Sequence, residues 1–343
     1  MSLKPHTPTL HDVAAAASVS TATVSRCLNF PDQVSESTRI NVIRIINDLG
    51  YSPNFGAKAM AARRTNTIGA IIPTMENAIF ARGLQAFQEE LRLHGFTMLV
   101  ASTSYCPNIE EEQIRSLVAR GADALLLIGH ERDPEIYRFL QTQGVPALVT
   151  WAFTPGSVRP SIGFNNRAAI YEMATEVIKL GHTKLALISA ETAMNDRAKA
   201  RHVGIQNAMT YAGLKPSSLQ FIETTYNIED GANAFEKLMK SDTRPTAVFC
   251  GNDVLAVGAL RCAREMKISV PDDVSIIGFD DIELAQVAYP ALTTVHVPHR
   301  EMGRRAAIAL ANYVKEGTPI KAVELKARLV FRETLGLARE DLP

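Results

Sequence analysis

Residues 21–29, TATVSRCLN, set short hydroxyls, one arginine and one amide at helical spacing. On a helix, Val24, Cys27 and Leu28 fall on one side, and Thr21, Ala22, Ser25, Arg26 and Asn29 turn to the other. Such a face donates hydrogen bonds to phosphates and base edges, and the arginine fork matches guanine O6 and N7 in the DNA major groove. A second set of reactive side chains lies far along the chain. Asn252, in FCGNDVLAVGAL, follows an apolar run that reads as a strand, and Asp280, in SIIGFDDIELA, ends another. An amide and a carboxylate on neighbouring strand ends read vicinal hydroxyls through paired donors and acceptors. Asp253 reads more simply as the N-cap of a helix beginning at Val254. Enzyme chemistry is poorly represented: no GxGxxG follows a strand, and GxxxxGK[ST], GxSxG and HExxH are missing. The Asp280-Asp281 pair has no companion ligands at metal spacing, so no metal site is expected. His296 and His299, near Pro298, read as loop or interlobe residues.

The polar face at 21–29 needs a small core to present it. Leu10, Val13, Ala14 and Ala17 recur at spacings of three and four, predicting a helix that Thr9 and Asp12 start with a capping box. Ser18-Val19-Ser20 makes the turn. Ile40, Ile43, Ile46 and Leu49 are expected to form the buried stripe of a third helix over 35–49, ended by Gly50. After YSPN comes FGAKAMAARRT, a basic, Ala-rich helical pattern too short to be stable alone. It is either a plain linker or a segment that orders only against DNA and a partner subunit. From Thr67 onward, short apolar runs alternate with helical patterns, predicting parallel sheets flanked by helices. Strands are expected at 68–72, 97–101, 124–128, 147–150, 161–164, 185–189, 247–250, 275–279 and 293–295. Helices are expected at 81–94, 110–120, 167–180, 198–212, 231–239, 254–265 and 300–316. So many strands make two lobes, with a ligand cleft at the carboxyl ends of the strands. The implied division is a headpiece at 1–53, a hinge at 54–66 and a body at 67–343.

The formal charge is zero, with 36 basic and 36 acidic residues, but residues 1–66 carry seven Lys/Arg against four Asp/Glu. A basic end on a mildly acidic body fits one nucleic-acid surface and argues against a membrane-surface role. The four cysteines have no C-x-x-C spacing, so neither a zinc site nor a disulfide framework is suggested. The first residues lack an apolar signal core, and no stretch approaches a membrane span, so a cytoplasmic location is expected. The closing RLVFRETLGLAREDLP offers no apolar heptads for a tetramerising coiled coil.

TLHDVAAAASVSTATVSRCLN, VSESTR, LGYSPN and IGAIIP together resemble the LacI/GalR family of transcriptional regulators. The resemblance covers nearly the whole chain. It implies a helix-turn-helix headpiece on a two-lobed core like a periplasmic sugar-binding protein, with chain crossings near residues 164, 293 and 325. By similarity, Thr21, Ala22 and Arg26 would read bases, while Thr9, Ser20, Thr23, Ser25, Asn29 and Asn54 hold phosphates. Ala57 and Met60 fall where the family's hinge helix enters the minor groove, with methionine in place of the usual leucine wedge. In the cleft, Arg201 of DRAKARHVG matches the family's R-x-x-G arginine, which clamps a carboxylate or sugar hydroxyls. Asn252 and Asp280 match effector-contacting positions. Tyr226, Phe80 and Trp151 resemble aromatic positions lining the cleft. Trp151 stands where many relatives carry a small acidic residue, and Asn165 where Asp is more usual, both departures from a site for a neutral hexose. The implied protein is a dimeric repressor of a palindromic operator, controlled by a small metabolite and needing no cofactor. The alternatives are an α/β enzyme or a ligand receptor using the same cleft.

Overall fold

The computed structural model describes residues 7–52 and 64–339, and the chain divides into two compact units, Met1–Thr65 and Asn66–Pro343. Asn54, Ala57 and Met60 lie outside the described residues.

The first unit packs α1 (Leu10–Ala17), α2 (Thr21–Asn29) and α3 (Glu36–Leu49). The capping box forms: Thr9 Oγ1 accepts from Asp12 N at 3.3 Å, and Thr9 N donates to the Asp12 carboxylate at 2.8 Å. Ser18 takes a left-handed φ of 55° to end α1, and Ser20 Oγ accepts from Thr23 N at 3.1 Å to begin α2. The core comprises Val13, Ala14, Ala17, Val24, Cys27, Val42, Ile45 and Ile46. The stripe expected on α3 is corrected here. Ile40 is 60% exposed and Ile43 and Leu49 39%, while Val42 and Ile45 point inward. A strict spacing of three drifts about 60° backward per step around a helix of 3.6 residues per turn, so it cannot hold one face.

The second unit opens with β1 (Thr67–Ile72), α4 (Ala78–Leu93), β2 (Thr97–Ser102), α5 (Pro107–Ala119), β3 (Ala124–Ile128), α6 (Pro134–Thr142), β4 (Ala147–Thr150) and β5 (Ser161–Gly163). These make lobe 1. Lobe 2 follows as α7 (Asn166–Lys179), β6 (Leu185–Ser189), α8 (Asp196–Tyr211), β7 (Gln220–Glu223), α9 (Ile228–Met239), β8 (Ala247–Cys250), α10 (Asp253–Glu265), β9 (Ser275–Ile277), α11 (Glu283–Val287) and β10 (Thr294–His296). The chain then returns to lobe 1 with α12 (His299–Glu316) and β11 (Val323–Glu324), and β12 (Arg328–Val330) crosses back to pair with β10. Lobe 1 holds a parallel sheet ordered β11-β5-β4-β3-β1-β2, and lobe 2 a parallel sheet ordered β7-β6-β8-β9. The central strands β1 and β3 are buried along their whole length, as expected for a sheet covered on both faces. Sequence periodicity did not reveal α6, β7, α11 or β11; all are short, and Gln220–Glu223 has a polar end at each side.

Helices α4 and α12 pack against each other through two glycines. A Cβ on Gly303 would meet the Gly83 carbonyl oxygen far inside contact distance, and one on Gly83 would meet the Trp151 ring. The absent side chains therefore set the helix separation and, through Trp151, the floor of the cleft. Gly303→Ala forces backbone apart and is expected to lower stability by about 1–3 kcal/mol, read by urea unfolding.

Candidate nucleic-acid interface and ligand cleft

On α2, Val24 and Cys27 face the core while Thr21, Ala22, Arg26 and Asn29 are exposed and Ser25 is half-buried. Ser20 and Thr23 share a hydroxyl contact of 2.9 Å at the helix start, and Asn29 Nδ2 donates to the Ser25 carbonyl at 2.9 Å. Thr9 is exposed beside the first turn of α1. The α2 face thus carries one guanidinium among small polar groups, with no carboxylate on the helix and no partner for the Arg26 side chain among the described residues.

In the second unit, Phe80, Trp151, Arg201, Tyr226, Asn252 and Asp280 meet around one interlobe chamber of about 20 Å³. Four come from lobe 2, with Asn252 and Asp280 just past strand ends, Tyr226 in the loop after β7 and Arg201 in the second turn of α8, and Phe80 and Trp151 come from lobe 1. Asn165 does not join them. Its Oδ1 accepts from Ala168 N at 3.0 Å to cap α7, and it borders a separate hollow of about 430 Å³. The next residue, Asn166, reaches the chamber instead, because one position along a helix start rotates the side chain by about 100°. The cap of α10 is corrected too. Asn252 is the N-cap, accepting from Leu255 N at 2.9 Å, whereas Asp253 is buried in the first turn, accepting from Thr294 Oγ1 at 2.6 Å and Ile282 N at 2.8 Å. Burial pushes the Asp253 carboxyl well above the usual carboxylate range.

Sequence reasoning missed Tyr105, Asn195 and Arg197, which also line the chamber. Tyr105 follows the end of β2, where the strand-end rule points, and Arg197 lies four residues before Arg201 on the same helix face.

Arg201 is only 8% exposed. Its Nη1 donates to Asn166 Oδ1 at 2.7 Å and its Nη2 to Tyr226 OH at 3.0 Å, and its guanidinium lies 4.8 Å from the Phe279 ring centre. Asn166 Nδ2 in turn donates to the Trp151 carbonyl at 3.0 Å. Among the described residues, Arg201 Nε, Asn252 Nδ2 and Trp151 Nε1 are buried without a partner. Burial pushes the Asp280 carboxyl up to about 7, with Arg201 and Arg197 pulling the other way. His299 Nε2 lies 3.7 Å from Asp280, and burial with the Arg82 charge pushes the imidazole down to about 3, so it is neutral. Three lining residues hold backbone that side chains disfavour: Tyr105 at φ 59°, Trp151 at φ 59° and Asp280 at φ 102°. Trp151 is fixed by Asn166 at its carbonyl and by Met302 Sδ, which accepts from its N at 3.1 Å.

The lobes meet across this cleft. His130 N donates to Asp196 at 2.6 Å, the Tyr105 and Tyr226 rings lie 5.9 Å apart, and Arg82 of α4 pairs with Glu283 and donates to the Asp281 carbonyl. A chamber of 20 Å³ is far below the several hundred Å³ a small-molecule site needs, so a ring enters only as the lobes part. An outer hollow of about 640 Å³ shares Tyr105, Asn195 and Tyr226 with the chamber and is bordered also by Asn77, Glu191, Glu223 and Thr225. Beside the crossing strands, Asp281 accepts from Arg332 Nη2 at 2.6 Å and contacts His296 Nδ1 at 2.9 Å.

No cluster of potential metal ligands occurs among the described residues. No described helix is long and apolar enough to cross a membrane.

A three-helix unit presenting a polar helix, joined in one chain to a two-lobed ligand-binding body, defines a ligand-responsive DNA-binding regulator. Residues 9–54 match the bacterial regulatory proteins of the lacI family, and residues 174–335 match the periplasmic binding protein-like domain. The HTH-type transcriptional regulator DegA of Bacillus subtilis is 34% identical over 298 residues, covering 86% of this chain and 88% of that protein. A LacI-family regulator from Silicibacter pomeroyi has a similar structure, with a TM-score of 0.87, 26% identity and coverage of 96% and 99%. A transcriptional regulator CelR–cellobiose complex is similar at a TM-score of 0.69, 28% identity and coverage of 95% and 99%. The chain belongs to the LacI family: it is a DNA-binding, effector-binding transcription regulator and not an enzyme.

Burial works to raise the Asp281 carboxyl, but hydrogen bonds from Arg332 and His296 outweigh it and hold the group below its usual range. Its contribution to stability is therefore complete above about pH 4, the ordinary carboxylate value, and lost as pH falls further. Arg332→Ala is expected to cost about 2–3 kcal/mol at pH 7 and to flatten that acid limb, measured by urea midpoints from pH 7 to pH 3.

Proposed function

We propose that the protein is a cytoplasmic, homodimeric repressor of a palindromic operator, whose grip on DNA is set by a small polar metabolite in the interlobe chamber. The division of labour follows the sequence reading: residues 1–53 as headpiece, 54–66 as hinge, 67–343 for effector binding and dimerisation. Arg26, Thr21 and Ala22 are assigned to bases; Thr9, Ser20, Thr23, Ser25, Asn29 and Asn54 to phosphates; Ala57 and Met60 to the minor groove. Operator symmetry is the reason for the dimer, since a two-fold protein reads two half-sites.

The observation that carries this reading is the set of buried, unpartnered donors on Arg201, Asn252 and Trp151, gathered in a chamber that opens only by lobe movement. Such groups are costly unless a ligand meets them, which favours a site that exists for binding. A ligand held between lobes binds their two arrangements unequally and so shifts the population between them. The CelR–cellobiose complex supports a sugar-like effector. With Asn166 in the place expected for Asn165, the contacting set is Phe80, Trp151, Asn166, Arg201, Tyr226, Asn252 and Asp280. Induction, release of DNA when the metabolite binds, is the expected sign.

The test is titration of full-length protein onto labelled palindromic promoter DNA from its neighbouring genes, by fluorescence anisotropy. Arg26→Ala is expected to weaken specific binding ten- to a hundredfold, as loss of one bidentate base contact does, about 1–3 kcal/mol. Asp280→Ala is expected to keep operator affinity and abolish the response to metabolite. Equal binding of promoter and random DNA by the parent protein would overturn the reading.

A further inference from the structure

We infer that the metabolite is a polyhydroxylated monocarboxylate whose carboxylate seats on Arg201; this rests on the effector reading above and narrows it to one charge class. Asn166 is spent at both ends, on Arg201 and on the Trp151 carbonyl, and Asn252 Oδ1 is spent on the first turn of α10. Among the described residues that line the chamber, what remains buried and unpartnered is Arg201 Nε, Asn252 Nδ2 and Trp151 Nε1, all of them donors. Tyr226 OH accepts from Arg201, so its own proton is also free to donate. A ligand that satisfies this wall brings acceptors.

Charge points the same way. The partners of Arg201 are a neutral amide and a neutral phenol, so a guanidinium more than nine-tenths buried stands without a bonded carboxylate. A buried cation is stabilised chiefly by a paired anion, and here the ligand is the natural source. Asp280 does not supply it: among the described residues it makes neither an ion pair nor a hydrogen bond with Arg201, and burial pushes its carboxyl up to about 7, so that when neutral it is one more donor. The tight chamber suits a planar carboxylate against the planar arginine fork. The outer hollow is bordered by Glu76, Glu191 and Glu223 and by no lysine or arginine, which suits a hydroxylated tail and rejects a second anion. The groups facing Asp280 are Arg197 and Arg201 of α8, His299 of α12, Tyr105 after β2 and Asp253 of α10.

The test is calorimetric titration of the full chain with gluconate, galactonate and ribonate against glucose, galactose and ribose, and with glucose 6-phosphate. The tightest acid is expected to bind at least about tenfold more tightly than its neutral partner, and more tightly than the phosphate. Its affinity is expected to fall from pH 6 to pH 8 as Asp280 becomes charged beside the bound carboxylate, and Asp280→Asn is expected to flatten that profile. Arg201→Gln is expected to lose the preference for acids without lowering the melting temperature of the ligand-free protein, since an unpaired buried charge is removed. Should that variant fail to fold, the pH profile of Asp280→Asn decides. Neutral sugars binding as tightly as acids, or a preference for acids that survives Arg201→Gln, would overturn the inference while leaving the effector reading intact. Tighter binding of the phosphate would overturn the carboxylate. Binding of none of these compounds, with no effect on operator release, would sink both.

Discussion

The body depends on one repeated local interaction, an asparagine closing the first turn of a helix where the chain leaves a strand or loop at the cleft. Asn77, Asn165, Asn195, Asn227 and Asn252 each accept a hydrogen bond from the backbone of the turn they precede. The Oδ1 of each is committed to the backbone, and the Nδ2 is left for another use. Asn227 donates to Thr225 and Asp230, while Asn77 and Asn252 keep a buried amide hydrogen unmet. Parallel topology then does the rest, because every right-handed crossover delivers its helix start to the same crevice. Four of these five capping asparagines thereby line the cleft, and Asn165 borders the separate hollow beside it.

This arrangement explains why strain collects where it does. Trp151 and Asp280, both in unfavourable backbone regions, face the chamber from opposite lobes and are anchored by neighbours packed on all sides. Such conformations persist only when the surroundings over-determine them. Gly83 and Gly303 supply that rigidity in lobe 1, bringing α4 and α12 together so closely that Trp151 has one place to go. In lobe 2 the Asp281–Arg332–His296 contacts fix the strand end from which Asp280 projects.

Much of this was legible in the residues, for identifiable reasons. Strands such as 124–128 announce themselves because burial on both faces demands an unbroken apolar run, and the start of α1 because a capping box has a spacing of its own. Helix starts in the body were read late by one to three residues: the helix expected from Gly231 begins at Ile228, and that from Ala198 begins at Asp196. Polar first turns carry no apolar periodicity, and the asparagines that mark them are equally at home in loops. The same blindness moved the cap of α10 onto Asp253 and the chamber contact onto Asn165, each displaced by one residue. On α3, isoleucines at a constant spacing of three imitated a face that geometry does not allow, and only the packed core separated Ile45 from Ile43. For Tyr105 and Arg197 the sequence offered only position, just past a strand end and one helical turn before Arg201; three-dimensional proximity was needed to bring them to the chamber.

The path of the chain between lobes has a consequence for biogenesis. The sheet of lobe 1 is not complete until Val323–Glu324 pairs with β5, and its packing against α4 waits for His299–Glu316. On a ribosome that builds from residue 1, the headpiece can mature alone, whereas the first half of the body emerges long before the strand and helix that finish it. Lobe 2, synthesised in between, has nearly all its own strands to hand and can close its sheet sooner. Lobe 1 thus spends most of translation with one sheet edge and one helix face uncovered, the interval in which a chaperone or an early partner would have most to bind.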